Sequence, residues 1–299
     1  MTWLSNLFNF LALSLLRLFA FLPYVITIYV GYGLGWLAAH IPNSRATVVK
    51  TNLRLCFPNL SEKEIGALAL EHWKLFGRSV IERSRVWLGT REQILSFVAI
   101  QSKVDLGDKK PRILVNPHFV GLEGGFMAFS ALSARNHWPN GVGLYQKMKN
   151  PLFNQKMVKW RDRFGGKSIE RQHRLRDLLR ELKKGNSAII APDIDLGPQD
   201  SIFVPFFGIQ TSTVDSVSRL AKITGAEVSL MTTTLNQDRK GYTCHIGEPL
   251  PNFPSDDVEK DTARLNQYIE ELVRERPAEY YWIHKRFKHR PPGEPSLYN

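Results

Sequence analysis

Cysteine is scarce in this chain, and the usual serine nucleophile motif is absent. Only Cys56 and Cys244 occur in 299 residues, with no zinc-ligand spacing and no second pair for a disulfide framework. No Gly-x-Ser-x-Gly turn is found, and neither cysteine has a plausible base near it in the sequence. These absences argue against a covalent enzyme intermediate and favour a reducing, cytosolic environment.

Acidic residues are too few to balance the basic ones. The 28 Asp and Glu residues stand against 40 Lys and Arg, a formal net charge of +12 that predicts an anionic partner. Thirteen basic and four acidic residues lie between Tyr145 and Gly185, and the aromatic residues Phe153 and Trp160 are interleaved with them. In such a mixture the apolar side chains can contact lipid and the cations can contact phosphate. Nucleic acid would use the same cations, but no recognised nucleic-acid-binding motif is present, so we expect no nucleic-acid partner.

Charge is also missing near the N-terminus, where the run from Leu18 to Ala39 is uncharged and mostly apolar. Such a run can cross a bilayer core of about 30 Å. We therefore predict a membrane-anchoring segment over residues 1–42, with a kinked or partly embedded form as the alternative because of Pro23. A buried helix of a soluble protein is a further alternative. Basic residues follow the run, which predicts that residues 43–299 face the cytoplasm.

Short apolar runs alternate with amphipathic stretches over residues 43–299. This alternation predicts an α/β fold with a mixed, largely parallel central sheet flanked by helices. Strands are predicted at 113–115, 142–145, 188–191, 228–234 and 242–246. Helices are predicted at 44–55, 61–88 (opened by a capping box at Ser61), 121–134, 151–164, 171–184, 214–224 and 258–275.

His118 and Glu123 follow the first of these strands. Asn116 and Pro117 end the strand, because proline cannot extend a ladder and restricts the residue before it. Ligands of open α/β sheets gather where strands end, and a histidine beside a carboxylate suits proton abstraction from an alcohol. A hydrogen-bonded structural histidine is the alternative.

The spacing of this pair is weak evidence by itself. On a regular helix five residues turn the side chains roughly 140° apart, so His118 and Glu123 can meet only if His118 precedes the helix. His289 and Glu294 have the same spacing in a proline-rich tail without a preceding strand, where no site is expected.

Asp193 and Asp195 follow the strand predicted at 188–191. An Asp-x-Asp at a strand end can hold Mg²⁺ for phosphoryl or glycosyl transfer. The alternative is that Asp193 caps a loop or pairs with an arginine. Beyond them, residues 201–208 supply an apolar wall, and Thr211-Ser212-Thr213 is predicted to cap the next helix.

Four blocks together resemble the bacterial lipid A biosynthesis late acyltransferases, which add lauroyl or myristoyl chains to a lipid A precursor. The resemblance extends over essentially the whole chain, and the order and spacing of the blocks make a chance match improbable. The blocks are His118-x4-Glu123, Asn150-Pro151-Leu152 leading to Arg161, the segment 191–208 with its Asp193-x-Asp195, and the segment 281–288.

The resemblance implies a glycerol-phosphate-acyltransferase-like fold, with residues 43–299 as a cytoplasmic acyltransferase domain at the bacterial inner membrane. The implied donor is a thioester of acyl carrier protein, and the implied acceptor is a phosphorylated glycolipid, a lipid A precursor of the Kdo-linked lipid IVA type. It implies neither a metal nor another cofactor.

The resemblance also implies roles for single residues. His118 would be the general base, with Glu123 as the partner that orients its ring. Arg161 and Asp193 match further residues that the family needs for its substrate. Arg163 could exchange roles with Arg161, and Asp195 is a further substrate-binding candidate. Arg161 or backbone N–H groups of the following helix could stabilise an oxyanion.

Other functions remain open at this stage. An acyltransferase acting on glycerol phosphate or another glycolipid is the nearest alternative. A metal-dependent glycosyltransferase would use the Asp-x-Asp, and a non-enzymatic membrane protein that binds anionic lipid would need only the apolar N-terminus and the basic stretch.

Overall fold

A computed structural model of the chain describes residues 13–171 and 175–298. Residues 13–21 are helical. The helices that follow are α1 (Tyr24–His40), α2 (Ser44–Cys56), α3 (Glu62–Leu88), α4 (Arg91–Leu95), α5 (Leu122–Asn136), α6 (Pro151–Arg161), α7 (Leu175–Lys183), α8 (Ser216–Thr224) and α9 (Val258–Glu275). The strands are β1 (Val98–Ser102), β2 (Arg112–Val115), β3 (Gly141–Tyr145), β4 (Lys167–Glu170), β5 (Ser187–Ile190), β6 (Ser201–Phe206), β7 (Ile209–Val214), β8 (Glu227–Leu235) and β9 (Tyr242–Pro249).

Seven strands form one central sheet in the order β1-β9-β8-β2-β5-β3-β4. Strands β8 and β9 pair antiparallel, while the other neighbours pair parallel. Strands β6 and β7 form a separate antiparallel hairpin. The predicted α/β fold with a mixed, largely parallel central sheet flanked by helices is therefore confirmed.

The central strands are buried on both faces, which explains why they are continuous apolar runs in the sequence. In β2, the side chains of Ile113 and Val115 join one core, with apolar residues of α7, α8 and α9. Leu114 points to the opposite face and joins a second core, with residues of α5 and α6. The alternation follows from the two-residue period of a strand, and it places helices on both sides of the sheet.

Several elements differ from the prediction. Thr211-Ser212-Thr213 does not cap a helix: these residues belong to β7, and α8 begins after Asp215. The helix predicted at 151–164 ends at Arg161 and continues as a 3-10 turn. Of the helix predicted at 171–184, the structure shows α7, and residues 172–174 lie outside the described part. The strands β1, β4, β6 and β7 are not among the predicted strands: β1, β4 and β7 mix polar and apolar residues, and β6 lies in the run that the sequence identifies only as an apolar wall.

The N-terminal segment packs against the rest of the chain. Helix α1 lies on α3 so closely that a Cβ atom on Gly35 would come within 2.1 Å of the Trp73 carbonyl oxygen. In the described part of the chain no single helix is long and apolar enough to cross a membrane, and only α1 and α2, bent by 90° at their junction, reach that length as a pair. Residues 1–12 of the predicted anchor lie outside the described residues, and a membrane role for 1–42 stays a prediction.

A buried ion pair connects α1, α3 and the sheet. The Arg78 guanidinium donates to Glu82 Oε1 at 2.7 Å and to the Tyr24 hydroxyl at 3.0 Å. The Tyr242 hydroxyl of β9 donates to the other Glu82 oxygen at 2.6 Å. Because each charge is hydrogen-bonded on several sides, the desolvation of the pair is compensated. The network holds α1 in one orientation on the domain.

Candidate active site

The candidate site lies at the carboxyl edge of the parallel strands, directly after β2. The Asn116 N–H donates to the Ile190 carbonyl at 2.8 Å, so the β2–β5 ladder continues for one residue past the strand. Pro117 then ends the pairing, and a tight turn forms in which the Phe119 N–H donates to the Pro117 carbonyl at 2.7 Å. His118 therefore stands at the edge of the sheet before α5 begins, as predicted.

His118 is held by Asp193 through two contacts. The His118 backbone N–H donates to Asp193 Oδ2 at 2.8 Å, and the ring Nδ1 lies 2.8 Å from Oδ1. The Asp193 side chain has no exposed surface, whereas 28% of the His118 side chain is exposed. Burial by itself would raise the pKa of Asp193, but the charge and the hydrogen bonds of His118 outweigh it and hold the pKa below its usual range.

The ionised Asp193 fixes the tautomer of His118. A carboxylate can only accept hydrogen bonds, so Nδ1 carries the proton in the neutral ring. The unprotonated Nε2 is then the basic atom, and His118 lines a cavity together with residues of α5 and α6. This is the arrangement of a general base with an orienting carboxylate.

Glu123 was expected to orient His118, but its carboxylate binds other groups. Glu123 lies in the first turn of α5, and its Oε1 accepts from the Trp87 indole N–H at 2.6 Å and from Arg161 Nε at 2.6 Å. Arg161 Nη2 donates to the second oxygen, which completes a bidentate ion pair. The carboxylate on His118 is that of Asp193, so the predicted contact between His118 and Glu123 is wrong.

The Glu123–Arg161 pair is largely buried, with 11% of the Glu123 side chain and 18% of the Arg161 side chain exposed. Burial would raise the pKa of Glu123, but the charge of Arg161, its hydrogen bonds and that of Trp87 keep this pKa below its usual range. Arg161 also lines the cavity that His118 lines. Nε and Nη2 of its guanidinium donate to the Glu123 carboxylate. Nη1 is therefore the nitrogen available to a substrate. Position and charge make Arg161 suitable for stabilising an oxyanion.

Asp195 repeats the arrangement of Asp193 with a second histidine. The His289 N–H donates to Asp195 Oδ2 at 2.7 Å, and His289 Nδ1 lies 2.7 Å from Oδ1. The Asp195 N–H donates to His284 Nε2 at 2.9 Å. His289 therefore packs against the loop of Asp195. Glu294, five residues after His289, forms an ion pair with Arg290.

Neither Asp195 nor Arg163 lines the cavity that His118 lines, and their roles in substrate binding stay predictions. The Asp195 carboxylate is buried among the donors from His289 and Gly197. Arg163 stacks on the Phe164 ring at 4.2 Å and donates to the carbonyls of Val86 and Gly89, away from the cavity. Of the two neighbouring arginines, Arg161 is the one that reaches the cavity.

A metal site is a poor match for these carboxylates. Both aspartates of the Asp-x-Asp accept hydrogen bonds from histidine N–H groups, so their oxygens are already occupied. Over residues 13–171 and 175–298, no group of three or more His, Cys, Asp or Glu side chains is arranged to hold a metal ion. The glycosyltransferase alternative therefore has no supporting geometry.

The cavity beside His118 has a volume of about 1100 Å³ and a largely apolar wall. Phe126 and Leu122 of α5, Met157 of α6 and Ile189 of β5 contribute apolar surface. A cavity of this size is large enough for a lipid chain or a drug-sized molecule. Its polar groups include those of His118, Arg161 and three further arginines.

Local sequence patterns do not indicate two further residues of the site. Trp87 belongs to α3 and reaches Glu123 across 36 positions, and nothing in its local sequence distinguishes it from a packing residue. The Tyr281 N–H donates to the His118 carbonyl at 2.9 Å, so the C-terminal segment contacts the loop that contains His118. That segment was visible only as part of the family resemblance.

Comparisons with known proteins agree with this geometry. A family model described as bacterial lipid A biosynthesis acyltransferase matches residues 2–289. The chain is 32% identical over 301 aligned positions to the lipid A biosynthesis lauroyltransferase of Escherichia coli strain K12, covering 99% of this chain and 95% of that protein. It is 28% identical over 291 positions to the palmitoleoyltransferase of the same strain (96% and 92% covered) and 26% identical over 265 positions to the myristoyltransferase (89% and 82%).

A carboxylate-held imidazole beside an apolar cavity, in a chain with these relatives, defines an acyltransferase. The chain belongs to the bacterial lipid A biosynthesis acyltransferase family. Its activity is acyl transfer in lipid A biosynthesis.

Proposed function

We propose that this protein transfers a fatty acyl chain from acyl carrier protein to a hydroxyl group of a phosphorylated lipid A precursor of the Kdo-linked lipid IVA type. The observation that carries the proposal is the His118–Asp193 pair, whose partly exposed imidazole lines a cavity with a largely apolar wall. The basic stretch between Tyr145 and Gly185 supports an acidic carrier protein and a phosphorylated acceptor, since both are anionic.

His118 acts on the acceptor. Its Nε2 takes the proton of the acceptor hydroxyl while that oxygen attacks the thioester carbonyl carbon. The new C–O bond forms, the tetrahedral intermediate collapses, and the C–S bond breaks. The imidazolium returns its proton to the leaving thiolate, and Asp193 stabilises the imidazolium in between. No acyl-enzyme forms in this scheme.

Glu123 acts through Arg161. The bidentate contact fixes the guanidinium on the cavity wall, where Nη1 can donate to the carbonyl oxygen as it becomes an oxyanion. The Trp87 indole N–H, on α3, donates to the same Glu123 carboxylate. In this proposal the family's His-x4-Glu motif contains a base and a positioning residue.

The protein acts at the cytoplasmic face of the bacterial inner membrane, with residues 1–42 as the anchor and residues 43–299 as the catalytic domain. Large apolar side chains are exposed on the N-terminal helices, among them Phe21, Tyr29 and Leu37. An apolar surface of this extent on one segment favours contact with lipid.

Mass spectrometry of lipid A from cells lacking the protein tests the acceptor. We expect the loss of one secondary acyl chain, restored by the wild-type gene and not by His118→Ala. An unchanged lipid A profile would overturn the acceptor assignment. In a purified system, transfer from acyl carrier protein should exceed transfer from acyl coenzyme A, and an active His118→Ala variant would contradict the mechanism.

A further inference from the structure

We propose that the side-chain amide of Asn116 is a further catalytic group, which donates a hydrogen bond to the thioester carbonyl oxygen as that oxygen becomes an oxyanion. This inference rests on the proposed function and adds a second donor to Arg161. Asn116 lies two residues before His118 and lines the same cavity.

The Asn116 side chain is buried but makes no hydrogen bond. Only 1% of the residue is exposed. Over residues 13–171 and 175–298, neither its Oδ1 nor its Nδ2 has a hydrogen-bond partner within the protein. An unpartnered amide in the interior costs free energy, because it loses its hydrogen bonds to water and gains none in return. Such a group needs an explanation, and contact with a substrate supplies one.

Two other buried asparagines show what a structural amide does in this protein. Asn52 Nδ2 donates to the Trp282 carbonyl at 2.7 Å. Asn266 Nδ2 donates to the Pro205 carbonyl at 2.8 Å. Both amides connect segments that are far apart in the sequence, whereas the Asn116 amide has no such contact among the described residues.

The pleat of β2 sets the direction of the Asn116 side chain. The backbone N–H of Asn116 continues the ladder to the Ile190 carbonyl, and a residue before proline is held in an extended conformation. Asn116 therefore points to the same face of the sheet as Leu114, two residues earlier. Leu114 packs in the core that includes Phe126 and Met157, and both of these residues line the cavity. The amide thus lies on the cavity side of the sheet.

Asn116 is also close to the catalytic base. Two residues of extended chain span at most about 7 Å, so the Cα atoms of Asn116 and His118 lie within that distance. In a reactive arrangement, the acceptor hydroxyl lies about 3 Å from His118 Nε2, and the thioester carbonyl carbon lies about 3–3.5 Å from the hydroxyl oxygen. Groups that react at His118 therefore lie in the part of the cavity that Asn116 also lines.

A neutral amide suits the oxyanion better than it suits the acceptor hydroxyl. The hydroxyl group gives its proton to His118 Nε2, whereas the carbonyl oxygen gains negative charge as the new C–O bond forms. An N–H donor in a site shielded from water stabilises that charge strongly, since it is already in place when the charge develops. The amide keeps its own protons throughout, so the proton still moves from the hydroxyl to His118 and then to the leaving thiolate.

The test uses the full-length protein and two variants that remove the amide, Asn116→Leu and Asn116→Ala. Leucine fills the space of the asparagine, and alanine adds no bulk that could block the cavity. Ser229→Ala is the matched control: Ser229 lies on β8 beside β2 and is buried, and in the described part of the chain its hydroxyl has no partner and no place in the cavity wall. We measure kcat, KM for both substrates, and thermal unfolding.

We expect both Asn116 variants to lower kcat by about 10²- to 10³-fold, with KM for either substrate changed by less than about threefold. The melting temperature of Asn116→Leu should equal or exceed that of the wild type, because an unpartnered buried amide has been removed. Ser229→Ala should keep the wild-type kcat. Asn52→Ala, which breaks the hydrogen bonds of a structural amide, should lower the melting temperature by about 2 °C or more.

Three results would overturn the proposal. A wild-type kcat in Asn116→Ala would show that the amide does not act in catalysis. A lower melting temperature of Asn116→Leu, with kcat of the folded protein unchanged, would assign Asn116 a structural role. A rise in KM for the acceptor with kcat unchanged would place the amide on the acceptor and not on the oxyanion.

His118→Ala, assayed beside these variants, keeps the two proposals separate. An active His118→Ala protein would count against the proposed mechanism. An inactive His118→Ala protein beside a fully active Asn116→Ala protein would count against the role of Asn116 alone. The same comparison with acyl coenzyme A tests Asn116 even where the carrier protein is not the donor.

Discussion

At the scale of single residues, the site consists of two carboxylate pairs with different tasks. Asp193 contacts the imidazole of His118, whereas Glu123 contacts the guanidinium of Arg161. Both carboxylates are buried, so each depends on its partner for compensation of the lost hydration. Replacing either one by its amide keeps the shape and removes the charge, and the consequences should differ.

Asp193→Asn should lower kcat by a factor on the order of 10³ or more, because the amide can donate to Nδ1 and select the wrong tautomer. Glu123→Gln should also lower kcat, since Arg161 loses its ionic partner, but the tautomer of His118 should stay as in the wild type. Nitrogen NMR shifts of the His118 ring distinguish the two cases. A changed tautomer in Glu123→Gln, with an unchanged one in Asp193→Asn, would contradict these assignments.

The buried His72 and the partly buried His284 predict a loss of stability in acid. Burial lowers the pKa of both His72 and His284 to about 4, from an ordinary value near 6.5. The unfolded chain therefore binds more protons between these values, so the free energy of unfolding falls as the pH drops from about 6.5 to about 4. The difference corresponds to at most about 3 kcal/mol per ring.

Chemical denaturation at a series of pH values measures this effect. His284→Gln retains an acceptor for the Asp195 N–H but cannot titrate, so its stability should decline less steeply between pH 6.5 and 4. A decline as steep as that of the wild type would show that His284 does not contribute.

At the scale of elements, glycines decide how the N-terminal helix meets the domain. A Cβ atom on Gly35 would overlap the backbone of α3 at Trp73, while one on Gly33, two residues earlier in α1, would meet nothing within 4 Å. Small residues of this kind let two helices approach at the level of their backbones. The position of α1 therefore depends on Gly35 and not on Gly33.

Gly35→Ala should destabilise the protein by about 1–3 kcal/mol, because α1 or α3 has to shift to relieve the overlap. Gly33→Ala is the matched control, and it should be neutral or slightly stabilising, since alanine favours the helix. Hydrogen exchange of α1 in detergent reports the change locally. Equal protection of α1 in both variants would argue against close packing on α3.

At the scale of the whole molecule, the C-terminal segment completes the site. It contacts the His118 loop through Tyr281, and it contacts the Asp193 loop through the Tyr280 hydroxyl at 3.2 Å and through the pairing of His289 with Asp195. Residues more than 150 positions apart thus form one structure at the carboxyl edge of the sheet.

His289→Ala should cost about 1–3 kcal/mol of stability, because it removes a ring partner from a buried carboxylate. It should also lower kcat, since the Asp195 loop carries Asp193 two residues away. Lys288→Ala, an exposed neighbour, should stay within about 0.5 kcal/mol of the wild type. Thermal unfolding and turnover of the two variants test this, and identical behaviour would mean that the C-terminal contact is not needed.

Much of the fold could be predicted from the sequence. The strands β2 and β5 are short apolar runs, β3, β8 and β9 were also predicted from their strand-like runs, and Ser61 caps α3 with the predicted capping box. The hairpin of β6 and β7 could not be predicted, because Thr211-Ser212-Thr213 suits a helix cap as well as a strand. Its partner strand, seven to eleven residues earlier, decided between the two.

The sequence by itself determined the position of His118. An apolar strand followed by proline leaves the histidine at the edge of the sheet, and this depends only on local backbone chemistry. Only the tertiary structure decided the partners, since side chains 75 and 38 positions apart meet there: Asp193 on His118, and Arg161 on Glu123. A motif specifies residue types at short range, whereas buried charges pair with whichever partner the fold brings within hydrogen-bond distance.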